Sequence, residues 1–174
     1  MKRMLRALKR TAFALAVVVT AFSCAILTTG CTKERSWEVG GNAPEISVLD
    51  LSNRTVKLSD FRGKVVVLRF WATGCSACVV GMPKLDRFSK NYRERGLAVL
   101  AVNMGNPKAL VEAFAKGLKL SYPVFLDPAL IAAKKYGVRT VPTTFFIDRK
   151  GIAKKVVVGE ITQELFDRTV GELL

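Results

Sequence analysis

Two cysteines three residues apart, Cys75 and Cys78, stand in the stretch FWATGCSACVVGMP (residues 70–83), where an apolar run hands over to a helical pattern. A helix N-terminus carries about half a positive charge and free N–H groups, so it favours a thiolate at Cys75. A spacing of three on a helix puts Cys78 on the same face one turn later, within disulfide reach. The pair is therefore either a redox-active dithiol or a small structural clip. A loop of four residues removes little chain entropy from the unfolded state, and a Cys-x-x-Cys following a strand is a redox signal, so exchange chemistry is the stronger reading.

The rest of the composition narrows the chemistry. The chain has 174 residues, 28 Lys+Arg against 14 Asp+Glu, four cysteines and no histidine. No Ser-His-Asp or Cys-His pair, imidazole metal site or histidine-ligated haem can be built without histidine. A structural zinc site needs four Cys/His ligands, and two cysteines remain once Cys24 and Cys31 are set aside with the leader, so neither metal nor cofactor is expected. Half the chain is hydrophobic, enough for one domain of ordinary size.

Residues 1–10 carry five positive charges and no acid, and residues 11–30 carry no charge at all. This reads as a secretory signal, with an uncleaved membrane anchor as the alternative. Either way the basic end stays in the cytoplasm and the remainder is exported. The end of the stretch, LTTGC, resembles the lipobox of bacterial lipoproteins, in which the cysteine after Gly is lipidated; that cysteine here is Cys31, although Thr28 stands where Leu is usual. Removal of residues 1–30 takes the net charge from +14 to +9. The remaining basic residues are scattered among acids, which suits a surface near anionic headgroups better than a nucleic-acid partner.

The elements that must position the cysteines follow an α/β alternation. Residues 31–43 are polar and Gly-containing, as in a tether, and the domain is expected over 44–174. Residues 45–58 predict a β-hairpin around Ser52-Asn53, and 64–71 a central strand buried on both faces. Val79, Met82, Leu85, Phe88 and Tyr92 predict a helix, and 97–103 a second buried strand joined to the first by that crossover. A helix from Asn106-Pro107 to about Lys116, a strand over 123–126 and a helix from Pro128 to about Tyr136 follow. Strands over 143–148 and 152–158 flank a tight turn at 149–151, and a last helix over 161–174 has Thr162 as a possible N-cap. The expected fold is a mixed sheet with helices on both faces.

These residues resemble the thioredoxin superfamily, and within it the TlpA/ResA-like branch of membrane-tethered thiol–disulfide oxidoreductases. The likeness runs over about residues 40–174. It rests on the FWAT lead and Cys75/Cys78, on APEISVLDLSNRTVKLSDFRGKVVVL (43–68), on Pro83 five residues after the second cysteine, and on YGVRTVPTTFFIDRKG (136–151). The resemblance implies a thioredoxin fold with an N-terminal hairpin and an extra αβ segment over 105–137. It implies a cis proline at Val141-Pro142 facing the cysteines, and substrate contacts at Trp71, Val141, Pro142 and Thr143. It also implies protein disulfides as substrates, among them apocytochrome c or copper-site cysteines, and a transmembrane thiol reductant.

Three positions depart from that pattern. Arg69 stands where plain thioredoxin has an aspartate, Gly81 where ResA-like members have a glutamate, and Gly74 where a Trp usually precedes the first cysteine. Both carboxylates that could move the proton of the second thiol are missing from those positions. Arg69 is expected either to snorkel to water from the strand end or to lie close under the cysteines as a cation, paired with a group the sequence does not identify and lowering the thiol pKa. Rival readings are a thiol peroxidase of the peroxiredoxin type, for which Ala72 stands in place of a threonine, a copper-delivery module, and a redox-silent interaction module.

Overall fold

The computed structural model describes residues 37–174. The leader and Cys31 lie outside the described residues. Strands β1 (Ser47–Asp50) and β2 (Thr55–Lys57) form the expected hairpin, closed by Asp50, whose Oδ1 accepts from the Ser52 and Arg54 amides at 2.8 Å each. A single 3-10 turn over Leu58–Phe61 leads to β3 (Val65–Trp71), all seven of whose residues are buried.

Helix α1 (Ser76–Lys90) returns the chain to β4 (Leu97–Met104), which pairs parallel to β3 in register from Val65↔Leu97 to Trp71↔Asn103. Arg87 and Lys90 in its last turn complement the helix dipole, and it runs through Pro83 without ending. Helix α2 (Lys108–Gly117), β5 (Val124–Asp127) and α3 (Ile131–Lys135) make up the extra segment, and β5 inserts between β4 and β1. Strands β6 (Thr143–Ile147) and β7 (Ala153–Val158) continue the sheet on the far side of β3, and α4 (Gln163–Leu173) closes the chain. Thr162 Oγ1 accepts from the Leu165 amide at 3.2 Å, as an N-cap does. The seven strands lie in the order β2-β1-β5-β4-β3-β6-β7, a mixed sheet.

Alternation along β3 distributes its side chains to two cores. Val65, Val67 and Trp71 pack with Met82 and Leu85 of α1, Val111 of α2 and Phe166 and Val170 of α4. Val66, Leu68 and Phe70 pack on the other face with Leu58 and with Ala132, Ala133 and Tyr136 at α3. Helices thus cover both faces. By the same alternation Arg69 falls on the α1–α4 side, the side of the cysteines.

Two boundaries differ from the sequence expectation. The helix expected from Pro128 starts at Ile131, because Leu130 takes a left-handed conformation (φ 57°) and Asp127 caps the next turn, accepting from the Ala132 and Ala133 amides at 3.2 and 2.8 Å. The part of the expected tether that is described, residues 37–43, is docked. Trp37 Nε1 donates to the Tyr136 carbonyl at 2.7 Å, its ring meets Phe145 edge-on, and the Gly40 and Ala43 amides bond to the Ala153 and Gly151 carbonyls. Docking takes part of the apolar indole out of water, and the Tyr136 carbonyl satisfies the N–H that burial would otherwise leave unpaired.

Candidate active site

The end of β3 delivers the chain into a tight turn over Ala72–Gly74, and Cys75 is the N-cap of α1. The Cys78 amide donates to Cys75 Sγ at 3.1 Å, so the first sulfur occupies the place where a capping oxygen would accept. The turn is strapped from below: Asn106 Oδ1 accepts from the Thr73 amide at 3.0 Å, and Asn103 Oδ1 accepts from the Asn106 amide at 3.1 Å. Asn103 and Asn106 were not among the expected site residues. They sit where the strand after the crossover ends, a position sequence alone marks only as a turn.

Cys75 and Cys78 are joined as a disulfide, Cα to Cα 5.2 Å. Their exposures differ sharply. Cys75 reaches the surface, whereas Cys78 is fully buried. One sulfur is open to a macromolecular partner and the other is shielded from it, the arrangement an attacking thiol and a resolving thiol require.

Facing them, the Val141-Pro142 peptide is cis, and the Val141 carbonyl oxygen lies 3.6 Å from Cys75 Sγ. The segment is held by the Gly159 amide, which donates to the Pro142 carbonyl at 2.7 Å. Thr143 and Trp71, expected to contact substrate, are inside. The Thr143 hydroxyl donates to the Thr140 carbonyl at 2.7 Å, and Trp71 is fully buried with its ring 5.4 Å from that of Phe114. Their positions follow from the strand alternation, which turns both toward packed layers. Val141 remains partly exposed, and Gly74 is exposed with open space around it, so the flank before Cys75 is unshielded.

Arg69 does not snorkel. It is 1% exposed, and its Nη2 pairs with Glu160 Oε1 at 2.5 Å while its Nη1 donates to Thr144 Oγ1 at 3.3 Å. A guanidinium buried without an anion would cost several kcal/mol, and the loop after β7 supplies the anion. Arg69 is thus the buried, paired cation of the second expectation, and Glu160 is its partner. Gly81, which lacks the family's carboxylate, has one beside it nonetheless: a methyl on Gly81 would overlap the Glu160 carboxylate. Buried Tyr122 completes the group. Its hydroxyl donates to the Met82 carbonyl at 3.1 Å, and burial above all pushes its pKa up, with Asp86 and Glu160 adding to the rise while Arg69 and Arg93 oppose it. Glu160 was not among the expected site residues; its signal in the sequence is the lone charge of Arg69 in an otherwise apolar strand, which demands a partner.

Comparison with known proteins agrees with this geometry. The model of the AhpC/TSA family matches residues 39–156. The thiol–disulfide oxidoreductase ResA of Geobacillus kaustophilus is 38% identical over 168 residues, covering 97% of this chain and 96% of the relative. The chain belongs to the AhpC/TSA family, as a thiol–disulfide oxidoreductase of ResA type. ResA of Bacillus subtilis is 33% identical over 165 residues, 95% of this chain and 92% of that one. A crystal structure described as a thiol:disulfide interchange protein DsbE from Chlorobium tepidum superposes with a TM-score of 0.74 at 30% identity, over 79% of this chain and 99% of that one. Membership in this oxidoreductase family sets aside the non-enzymatic readings. The fold is that of thioredoxin, with Cys75 and Cys78 as its Cys-x-x-Cys pair.

Proposed function

We propose that the protein reduces disulfides of other exported proteins in the bacterial cell envelope, tethered to a membrane and facing the periplasm. The observation that carries this reading is the asymmetry of the pair: Cys75 open at a helix N-terminus beside Val141, Cys78 shut beneath it. Cys75 thiolate attacks one sulfur of a substrate disulfide, and the other substrate sulfur leaves as a thiolate and takes up a proton. Cys78 then attacks Cys75, its own proton having left, and releases the second substrate thiol. The substrate gains two electrons and the protein becomes the disulfide. Val141 offers its backbone edge to an extended stretch of substrate, and buried Pro142, its carbonyl held by the Gly159 amide, fixes that edge in place. The chemistry draws on no cofactor other than the Cys75–Cys78 dithiol.

The reducing direction, the transmembrane thiol reductant that restores the dithiol, and cytochrome c or copper-site cysteines as substrates are supported by the resemblance to the ResA-like branch. Location rests on the basic-then-apolar leader, with lipid on Cys31 as the anchor. Among the described residues no helix is long and apolar enough to cross a membrane. The test is a trap. Cys78→Ser keeps the attacking thiol and removes the resolving one, so covalent adducts with substrate proteins accumulate in envelope fractions and are identified by mass spectrometry. Adducts with proteins bearing haem-binding or copper-site cysteines support the reading; a trap that captures no envelope protein contradicts it.

A further inference from the structure

We propose that Glu160 is the proton acceptor for Cys78, with Arg69 and Gly81 as the residues that position its carboxylate. The proposal rests on dithiol exchange at Cys75 and Cys78 and not on its direction or substrate.

The need arises from burial. Cys78 is wholly removed from solvent, and to attack it must become a thiolate. Its proton therefore has to pass to a group inside the protein or to a water led in by one. Gly81 lies one helical turn beyond Cys78 on the same face of α1. The space that a side chain at position 81 would fill is taken by the carboxylate of Glu160, ninety-one residues from Arg69 and brought there by the loop between β7 and α4. Gly81 is the residue type that admits this approach: any Cβ there must expel the carboxylate.

The other groups around Glu160 make it suited to the task. From β3, Arg69 holds one oxygen at 2.5 Å and aims the carboxylate at the helix; from β6, Thr144 holds Arg69 in turn. From the segment before β5 comes Tyr122, whose proton burial keeps in place and whose hydroxyl is already donated to the Met82 carbonyl. Asp86 and Arg93 bear on Tyr122 alone, whose proton stays in place, and take no part in the transfer. From α1 come Cys78 itself and, two turns further on, Asp86, which is engaged by Ser121, Lys90 and Arg93. Among the described residues, the carboxylate standing against this turn of α1 is that of Glu160. Its side chain is 34% exposed, so a proton it accepts can be passed to water.

In the mixed disulfide the Cys78 thiol gives its proton to the Glu160 carboxylate, directly or through one water. The thiolate attacks Cys75 Sγ, the Cys75–partner bond breaks, and the electron pair leaves on the partner sulfur, which takes a proton from solvent. When the Cys75–Cys78 disulfide is later reduced, protonated Glu160 or solvent returns a proton to Cys78.

The experiment is a stopped-flow reaction of the reduced full-length protein, carrying Cys24→Ser and Cys31→Ser so that Cys75 and Cys78 are its two thiols, with the aromatic disulfide of Ellman's reagent. Cys75 releases the first equivalent of coloured thiolate, and attack by Cys78 releases the second. Wherever the acceptor is ionised and Cys78 is still a thiol, an internal acceptor makes the second phase nearly independent of pH. Glu160→Gln is expected to slow that phase about 100-fold and make it rise about tenfold per pH unit, with the first phase unchanged. A second phase in Glu160→Gln as fast as wild type, or faster because a repelling charge has gone, overturns the proposal. The wild-type profile decides even if that variant does not fold: a tenfold rise per pH unit in the wild type also overturns it. Release of one equivalent alone by the wild type would overturn the dithiol reading beneath it.

Discussion

Two carboxylates flank the helix that carries the cysteines, and they are treated in opposite ways. Asp86 lies within α1 and is saturated: the Ser121 amide and hydroxyl donate to it at 2.8 and 2.6 Å, and Lys90 and Arg93 stand at 3.0 and 3.5 Å. Burial would raise its pKa, but the Ser121 hydrogen bonds and the Lys90 charge outweigh burial and hold it below the usual carboxylate range. Glu160 has one ionic partner, Arg69, and an exposed edge. A carboxylate with every lone pair engaged is locked in its ionised form and serves as a joint between helix and loop. One with a single fixed partner keeps an oxygen able to accept a proton. The same residue chemistry thus gives scaffold at one end of a helix and reactivity at the other, and the number of donors decides which.

The largest expected effect separates the two roles of the Arg69–Glu160 pair. Replacing both members with apolar residues removes the desolvation penalty along with the attraction, so Arg69→Met combined with Glu160→Leu should leave stability within about 1–2 kcal/mol of wild type, where Glu160→Leu alone strands a buried guanidinium at a cost of about 3–5 kcal/mol. Denaturant unfolding measures both. The double variant should nonetheless resolve the mixed disulfide about 100-fold more slowly, because stability returns and the proton acceptor does not. A double variant that recovers both would reduce the pair to a structural joint like Asp86.

Asp86 should behave in the reverse manner. Asp86→Asn loses charge-assisted hydrogen bonds and should cost about 1–3 kcal/mol, with both phases of disulfide exchange at their wild-type rates. The pH dependence has a definite sign. The folded-state pKa of Asp86 is lowered, so its stabilising contribution is present above the unfolded value of about 3.9 and is lost as the pH falls through the folded value. Unfolding midpoints followed from neutral to acid pH should fall less steeply in Asp86→Asn than in wild type. Equal slopes would mean that Asp86 contributes nothing to acid sensitivity.

Local pattern carried most of the fold. The β-branched run at 64–71, the helical spacing from Val79 to Tyr92 and the turn at Arg149-Lys150-Gly151 each declare an element within a few residues, and each is present. Cys75, Cys78 and Pro142 were legible through spacing and resemblance. What could not be read were pairings across long separations. Arg69 stood out as a charge in an apolar strand, but its partner is in a loop whose path depends on how β6, β7 and α4 pack. Trp37 looked like part of a tether because its neighbours are polar, and the aromatic surface that receives it, Tyr136 and Phe145, is about a hundred residues away. The start of α3 was misplaced for a local reason, the left-handed Leu130, a conformation that no side chain without a polar group favours.

Cys75 is partly exposed and Cys78 fully buried, and alkylation tests that difference most directly. The reduced protein, exposed briefly to iodoacetamide at neutral pH and digested for mass spectrometry, should carry the label on Cys75, with Cys78 labelled only after unfolding. Equal labelling of the two cysteines in the folded protein, or labelling of Cys78 first, would contradict the assignment of Cys75 as the attacking thiol and Cys78 as the buried resolving one.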